Sequence, residues 1–332
     1  MSAPSKPRRR RRAGVIALLI AAALAITFAL GPRPEIVLEV ETPPVPADPA
    51  ALDAYLQEAE AALPDIRPGT DKIIAWADPA HKAQTEFSVV YLHGFSATRH
   101  ELVPVPDQVA EALGANLFFT RLRGHGRSGP AMAEPKVRDW LEDGLEALAI
   151  GQRLGRRVII IGTSTGGTLA VWLATRPEAR DVHAFVLVSP NFRPKNPLAR
   201  GLLWPWGKQL ALLIQGPERS FEPTDERHAA YWTARYPTEA LLTMMALVQV
   251  VEDLDLSTVT QPMLLIHSEN DQVVDGPAAA AGFEAMGSAV KRRVTVEDSE
   301  DPANHVIAGE IMSPKTTPRV RDTILDFLSA LP

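Results

Sequence analysis

The sequence predicts an α/β fold with a mainly parallel central sheet, helices on both faces and a helical cap insertion. Short apolar runs rich in Val, Ile and Phe alternate with longer amphipathic segments, as expected for strands joined by helical crossovers. The alternation stops between Ser189 and Gln261, where about 70 residues contain little that resembles a strand. A structureless loop of that length is improbable in a compact domain, so this segment is predicted to be a helical cap.

The apolar runs give the order of the strands. The predicted strands are DKIIAWA, FSVVYLHG, ANLFFTRL, RRVIIIGTS, HAFVLVS, PMLLIHS and KRRVTVE. Helical spacing predicts helices near residues 100–113, 136–154, 166–175, 277–286 and 318–330. The catalytic domain is therefore predicted to span residues 51–332, with the cap at about 190–260.

The N-terminal region has a different composition. Residues 1–13 are basic, residues 14–30 are uncharged and apolar, and residues 31–50 are rich in proline and typical of an extended linker. Basic residues before an apolar run orient the N-terminus toward the cytoplasm. The sequence therefore predicts a single membrane anchor with the domain exported, to the periplasm or outside the cell. The alternative is a signal peptide, with the domain secreted after cleavage.

Charge and composition exclude several classes of function. The formal net charge is −6 although the N-terminus is basic, so the body of the protein is acidic and nucleic acid is not an expected partner. The sequence contains no cysteine, which rules out disulfides, a thiol nucleophile and cysteine metal sites. We expect neither a metal nor a cofactor.

The stretch VIIIGTSTGGTLA joins a predicted strand to a predicted helix through small polar residues. It contains Gly162-Thr163-Ser164-Thr165-Gly166, which fits the G-x-S-x-G turn that presents a nucleophilic serine on a strained backbone. Gly162 and Gly166 leave room for the sharp turn, where a Cβ atom would be crowded. Ser164 is therefore the predicted nucleophile, and the alternative is a glycine-rich turn without chemistry.

A serine nucleophile needs a base and a carboxylate that orients it, in the chain order Ser, acid, His. The segment ENDQVVD after the strand PMLLIHS makes Asp271 the predicted acid, with Glu269 and Asp275 as competitors. His305 is the one histidine beyond His267, so position and elimination both select it as the base. We expect activity to rise through roughly pH 6 to 7 as this histidine loses its proton.

Acyl transfer also requires hydrogen-bond donors for the oxyanion. The N–H of Thr165, directly after the nucleophile, is one predicted donor. The N–H of Phe95, in the loop that follows the strand FSVVYLHG, is the other. A third glycine-rich stretch, RGHGRSG at residues 123–129, lacks the ending of a phosphate-binding loop and is predicted to be a structural loop beside the site.

These motifs together resemble the α/β-hydrolase superfamily, and most closely its branch of monoacylglycerol lipases and serine aminopeptidase-like bacterial esterases. The resemblance rests on LHGF, RGHGRSG, GTSTGG, ENDQVV and NHVIAG, which occur in the family's order. It implies an α/β-hydrolase fold, a Ser164-Asp271-His305 triad and an oxyanion hole at Phe95 and Thr165. The sequence departs from the family at Thr163, where many relatives have histidine, and at SATRHE after LHGF. The first departure is expected to be without effect, and the second makes monoglyceride specificity uncertain.

The sequence thus predicts a serine hydrolase that cleaves carboxylic esters, with a small or lipid-like substrate. The cap contains LARGLLWPWGKQLALLI, and Trp204, Trp206 and Trp232 are predicted to line an apolar substrate pocket. The same stretch also fits a helix packed on the core or a surface that contacts a bilayer. A peptidase or thioesterase with the same triad is one alternative function. An inactive binding module tethered to a membrane is another.

Overall fold

The computed structural model describes residues 7–332, and the side chains of residues 7–11 and 13 lie outside the description. A seven-stranded sheet forms the centre of the protein, with strand order β1-β3-β2-β4-β5-β8-β9. Its strands are β1 (Ile73–Ala75), β2 (Thr85–Leu92), β3 (Asn116–Phe119), β4 (Gly155–Thr163), β5 (Ala184–Val188), β8 (Met263–His267) and β9 (Lys291–Thr295). All pairs are parallel except β1 with β3. The predicted strands and the α/β fold are confirmed.

Helices cover both faces of this sheet. They are α2 (Leu52–Ala61), α3 (Val105–Leu113), α4 (Val137–Leu154), α5 (Thr165–Ala174), α8 (Ala240–Glu252), α9 (Gly276–Glu284) and α10 (Thr317–Ser329). One core cluster packs α4, α5 and α8 on one face, and the other packs α3 and α10 on the opposite face. The central strands are buried from both sides, which is why their sequences are continuous apolar runs.

The segment between β5 and β8 carries the cap. It contains α6 (Gly207–Gln215), α7 (Glu226–Tyr231) and a two-stranded antiparallel sheet of β6 (Glu218–Ser220) and β7 (Arg235–Pro237). The sequence predicted helices here but not this small sheet. Helix α8 follows β7 and packs on α5, so it joins the cap to the core of the domain.

The N-terminal helix α1 (Pro7–Ala29) precedes the domain. Among the described residues, no helix combines the length and the apolar character needed to cross a bilayer. The predicted transmembrane anchor at residues 14–30 is therefore not supported. Residues 1–6 of the predicted basic N-region lie outside the described residues.

Candidate active site

Ser164 occupies a strained turn between β4 and α5. Its backbone has φ 51° and ψ −116°, a conformation that a residue with a side chain rarely adopts. The N–H of Ser164 donates to the carbonyl of Val188 at 2.9 Å, which fixes the turn to the end of β5. Ser164 is 5% exposed and lies at the carboxyl end of β4, directly before the first residue of α5.

The two glycines around Ser164 allow the neighbouring segments to approach closely. A Cβ atom on Gly162 would lie 2.5 Å from the carbonyl oxygen of Gly166. A Cβ atom on Gly166 would lie 2.1 Å from the carbonyl oxygen of Leu92 and 2.7 Å from that of His93. The end of β2 therefore packs directly against the first turn of α5, which brings the loop after Leu92 beside the predicted nucleophile.

Asp271 lies in the loop after β8 and is 1% exposed. Its Oδ1 atom accepts hydrogen bonds from the N–H groups of Val273 at 2.7 Å and Val274 at 2.8 Å. Its Oδ2 atom lies 2.7 Å from Nδ1 of His305. The competitors predicted from sequence are elsewhere, since Glu269 is exposed and Asp275 caps the N-terminus of α9.

His305 lies in the loop between β9 and α10 and is 7% exposed. Its backbone N–H donates to Oδ2 of Asp301 at 3.0 Å, which holds the loop in place. Burial by itself lowers the pKa of His305, but its hydrogen bond with Asp271 and the negative charges of Asp271, Glu101 and Asp301 outweigh burial and raise the pKa above 6.5. The imidazole is therefore held with one nitrogen on a carboxylate, as a general base requires.

The two predicted oxyanion donors lie on the segments that meet at Gly166. Thr165 is the first residue of α5, so its N–H has no partner within the helix. Within residues 7–332, the hydrogen bonds include none from the N–H of Phe95 to a protein acceptor. The ring of Phe95 packs edge-on against Trp140 and against Tyr236 of the cap. The aromatic contacts fix the loop while its N–H remains available.

Comparison with known proteins identifies the family of this chain. The family model for serine aminopeptidase S33 matches residues 83–300, a range that includes Ser164 and Asp271. The chain belongs to this family. It is an α/β-hydrolase, with the strand order and the serine turn described above.

Relatives of known activity cover most of the domain. The thermostable monoacylglycerol lipase of Bacillus sp. (strain H-257) is 25% identical over 228 residues, which are 68% of this chain and 87% of the lipase. The pimeloyl-[acyl-carrier protein] methyl ester esterase of Nitrosomonas europaea is 30% identical over 225 residues, which are 59% of this chain and 81% of the esterase.

Solved structures share the fold. One described with the metagenome-derived lipolytic enzymes LipS and LipT has a TM-score of 0.64 at 20% identity, and the alignment covers 80% of this chain and 99% of that one. The monoacylglycerol lipase of Paleococcus ferrophilus has a TM-score of 0.56 at 16% identity, with 77% of this chain and 97% of that chain covered.

The tryptophans predicted to line the substrate pocket of this S33-family hydrolase have different surroundings. Trp204 is 58% exposed. The indole N–H of Trp206 donates to the carbonyl of Thr27 at 2.9 Å, so this side chain packs against the end of α1. Trp232 is 5% exposed and lies in the cap beside Thr233, whose N–H donates to the carbonyl of Ser96 at 2.7 Å. Of these three tryptophans, Trp232 is the one beside the loop after β2 that carries Phe95 and Ser96, called the oxyanion loop below.

Two buried polar side chains of the hydrolase, Glu101 and Tyr91, were not among the predicted site residues. The side chain of Thr163, which was expected to be without effect, has its Oγ1 atom 3.1 Å from the hydroxyl of Tyr91. The sequence contained one indication of Glu101, because it is a charged residue directly before an apolar run in SATRHELV. No grouping of three or more potential metal ligands occurs among the described residues.

Proposed function

We propose that this protein is a serine hydrolase that cleaves carboxylic esters through an acyl-enzyme. Ser164 is the nucleophile, His305 is the general base and Asp271 orients the imidazole. The observation that carries the proposal is the 2.7 Å contact between Nδ1 of His305 and Oδ2 of Asp271, at the same sheet edge as the strained Ser164 turn.

In the proposed first step, Oγ of Ser164 attacks the ester carbonyl carbon while Nε2 of His305 accepts the hydroxyl proton. The negative oxygen of the tetrahedral intermediate accepts hydrogen bonds from the N–H groups of Phe95 and Thr165. The intermediate collapses when His305 gives the proton to the leaving alkoxide, and the alcohol departs.

In the second step, His305 activates a water molecule, which attacks the acyl-enzyme carbonyl. Collapse of the new intermediate expels Oγ of Ser164, which regains its proton from His305, and the carboxylic acid is released. The triad therefore ends the cycle in its starting protonation state.

An ester substrate is favoured by the relatives, because one is a monoacylglycerol lipase and another a methyl ester esterase. A peptidase with the same triad is the second candidate, because the matching family model is that of a serine aminopeptidase. The two differ in the leaving group, which is an alkoxide for an ester and an amine for a peptide.

The test begins with a fluorophosphonate and intact mass measurement. We expect one adduct on the parent protein and none on Ser164→Ala, while Ser128→Ala, whose hydroxyl instead bonds Asp65, is labelled like the parent. Hydrolysis of p-nitrophenyl esters, a p-nitroanilide and a thioester then compares the leaving groups. An unlabelled parent that is folded contradicts the proposal, and a higher kcat/KM for the anilide favours the peptidase.

We also propose that the N-terminal segment directs the catalytic domain out of the cytoplasm. The proposal is supported by the basic residues that precede the apolar stretch at residues 14–30. Fractionation of cells that express the full chain with a C-terminal tag tests it. The domain is expected outside the cytoplasm, and a protein found entirely in the cytosol would contradict export. The mass of the recovered N-terminus distinguishes a retained segment from a cleaved one.

A further inference from the structure

The two places where the sequence departs from the family pattern meet in one buried hydrogen-bond chain. Thr163 precedes the predicted nucleophile, and Glu101 belongs to the divergent segment SATRHE. Both side chains bond the hydroxyl of Tyr91, which lies on β2 between them. The chain of hydrogen bonds therefore connects the serine turn with the loop that carries Phe95.

Glu101 supports the oxyanion loop directly. Its side chain is buried, with the residue 3% exposed. Its Oε2 atom accepts a hydrogen bond from the N–H of Gly94 at 2.6 Å. A Cβ atom on Gly94 would lie 2.5 Å from Oε1 of Glu101, so the loop backbone packs on the face of the carboxylate. The residue before Phe95 is thus fixed both by a hydrogen bond and by contact.

The donors and acceptors in the two hydrogen bonds of Tyr91 follow from the single proton on its hydroxyl group. The hydroxyl of Tyr91 lies 3.2 Å from Oε2 of Glu101 and 3.1 Å from Oγ1 of Thr163. When Glu101 is ionised, its carboxylate only accepts, so Tyr91 donates its one proton to Glu101. Thr163 must then donate to the oxygen of Tyr91. Oε2 of Glu101 then accepts from both Tyr91 and Gly94, and the oxygen of Tyr91 accepts from Thr163.

The same segment also contacts the loop that carries the predicted base. A Cβ atom on Gly309 would lie 2.4 Å from the carbonyl oxygen of Glu101. The N–H of Glu310 donates to the carbonyl of Val103 at 2.9 Å. Residues 101–103 are therefore packed between the oxyanion loop and the loop that follows His305.

Charge couples Glu101 to His305 as well. Burial raises the pKa of Glu101 to about 7, against the opposing effects of the Gly94 N–H, His305 and Tyr91. In return, the negative charge of Glu101 acts with Asp271 and Asp301 to raise the pKa of His305. Removal of the charge at position 101 is therefore expected to lower the pKa of His305.

We propose that Glu101 is a positioning residue for the reaction, which keeps the N–H of Phe95 in place relative to Ser164. It contacts the loop of Phe95 through the N–H of Gly94. It is connected to the serine turn through Tyr91 and Thr163. This inference rests on the proposed ester hydrolysis. A glutamate that serves stability alone would support the fold without affecting the turnover of bound substrate.

The test compares Glu101→Ala with Glu101→Gln. Alanine removes the acceptor of the Gly94 N–H, and we expect kcat to fall roughly 100-fold with KM changed less than about threefold, because an oxyanion donor acts in the transition state. Glutamine keeps an oxygen for Gly94 and Tyr91, so kcat should fall less than about tenfold. The acid limb of its kcat/KM profile should shift to lower pH, since the charge that raises the pKa of His305 is gone.

Two further variants test the connection to the serine turn. Tyr91→Phe and Thr163→Val each break the chain at one link, and their double variant should lose no more kcat than the worse single one. Glu146→Gln is the matched control, because Glu146 is also buried, lies on α4 and is bonded to Tyr55 and Lys72 instead of to the loop that carries Phe95. It is expected to lower the melting temperature without changing kcat.

Labelling of the parent at Ser164 and its ester hydrolysis are measured first, so failure of the proposed function is seen independently of Glu101. With an active parent, a folded Glu101→Ala enzyme whose kcat is within threefold of the parent overturns the positioning role. If Glu101→Ala does not fold, Glu101→Gln provides the test. The positioning role is then overturned if the acid limb of the Glu101→Gln profile does not shift and if the losses of kcat in Tyr91→Phe and Thr163→Val add in the double variant.

Discussion

The two oxygens of the Asp271 carboxylate contact different groups, one the protein backbone and the other the imidazole of His305. Oδ1 accepts the N–H groups of Val273 and Val274, and Oδ2 lies 2.7 Å from Nδ1 of His305. The contacts of Oδ1 fix which oxygen faces the backbone, so the second oxygen is always the one offered to the imidazole. Because Oδ2 accepts the proton on Nδ1 of His305, Nε2 is left without a proton. The loop after β8 therefore determines the tautomer of His305.

Asp271→Asn is expected to reduce kcat by roughly 10³- to 10⁴-fold with little effect on folding. The two backbone donors will retain the amide oxygen of asparagine, and its NH₂ group will then face Nδ1 of His305. A donor at that position stabilises the tautomer with the proton on Nε2, which cannot accept the proton of Ser164. Initial rates with a p-nitrophenyl ester near pH 8 measure the loss.

Asp275→Asn is the control for this prediction. Asp275 accepts the N–H of Ala278 at the start of α9, a role that asparagine also fills. Its kcat should equal that of the parent. Equal losses in the two variants would argue against Asp271 as the orienting acid.

The pH dependence of kcat/KM should have an acid limb with a midpoint above 6.5. The carboxylates around His305 raise its pKa, and only the neutral imidazole accepts a proton from Ser164. Activity is therefore absent at low pH and appears as the pH rises through the pKa of His305. Rates from about pH 5 to 9 test this, and a flat profile or a midpoint below 6 would exclude His305 as the base.

The strands along the chain and the candidate site residues could be predicted because both depend on local sequence. Buried parallel strands are continuous apolar runs, and Ser164 and Asp271 each follow one of those runs. His305 follows β9, a partly exposed strand with three basic residues. Parallel strands all end at the same edge of the sheet, so the three loops that begin there were expected to lie close together. The structure brings Asp271 and His305 into contact at that edge.

The features that were missed depend on contacts between distant residues. Strands β6 and β7 are only three residues each and mostly exposed, so they lack the apolar alternation that indicates a strand. The bonds of Tyr91 with Glu101 and Thr163 join parts of the chain that no local pattern relates. Trp206 resembled a pocket residue by type, but its position is set by the packing of α1 against the cap.

Gly166→Ala is expected to destabilise the protein by about 3 kcal/mol or more and to abolish labelling of Ser164. The added Cβ atom would meet the carbonyl oxygens of Leu92 and His93, which are backbone atoms that cannot rotate away. Gly201→Ala provides the control, because its nearest atom would be Cε3 of Trp204 at 4.0 Å. Urea unfolding and fluorophosphonate labelling of both variants test the prediction, which fails if the two behave alike.

Glu60→Ala is expected to lower the free energy of unfolding by roughly 3 to 5 kcal/mol, because it leaves a buried cation without its partner. Nε and Nη2 of Arg121 donate to the two oxygens of Glu60 at 2.8 and 2.7 Å, and the Arg121 side chain is only 3% exposed. This bidentate pair fixes α2 to the loop after β3.

Glu58→Ala, on the exposed side of the same helix, separates this effect from a general loss of helix stability. Its free energy of unfolding should stay within about 0.5 kcal/mol of the parent. Arg121 also donates to the carbonyl of His125, so loss of Glu60 should loosen the RGHGRSG loop as well. Amide exchange at residues 123–129 would then be faster in Glu60→Ala, and unchanged exchange would mean that the loop is held independently of the ion pair.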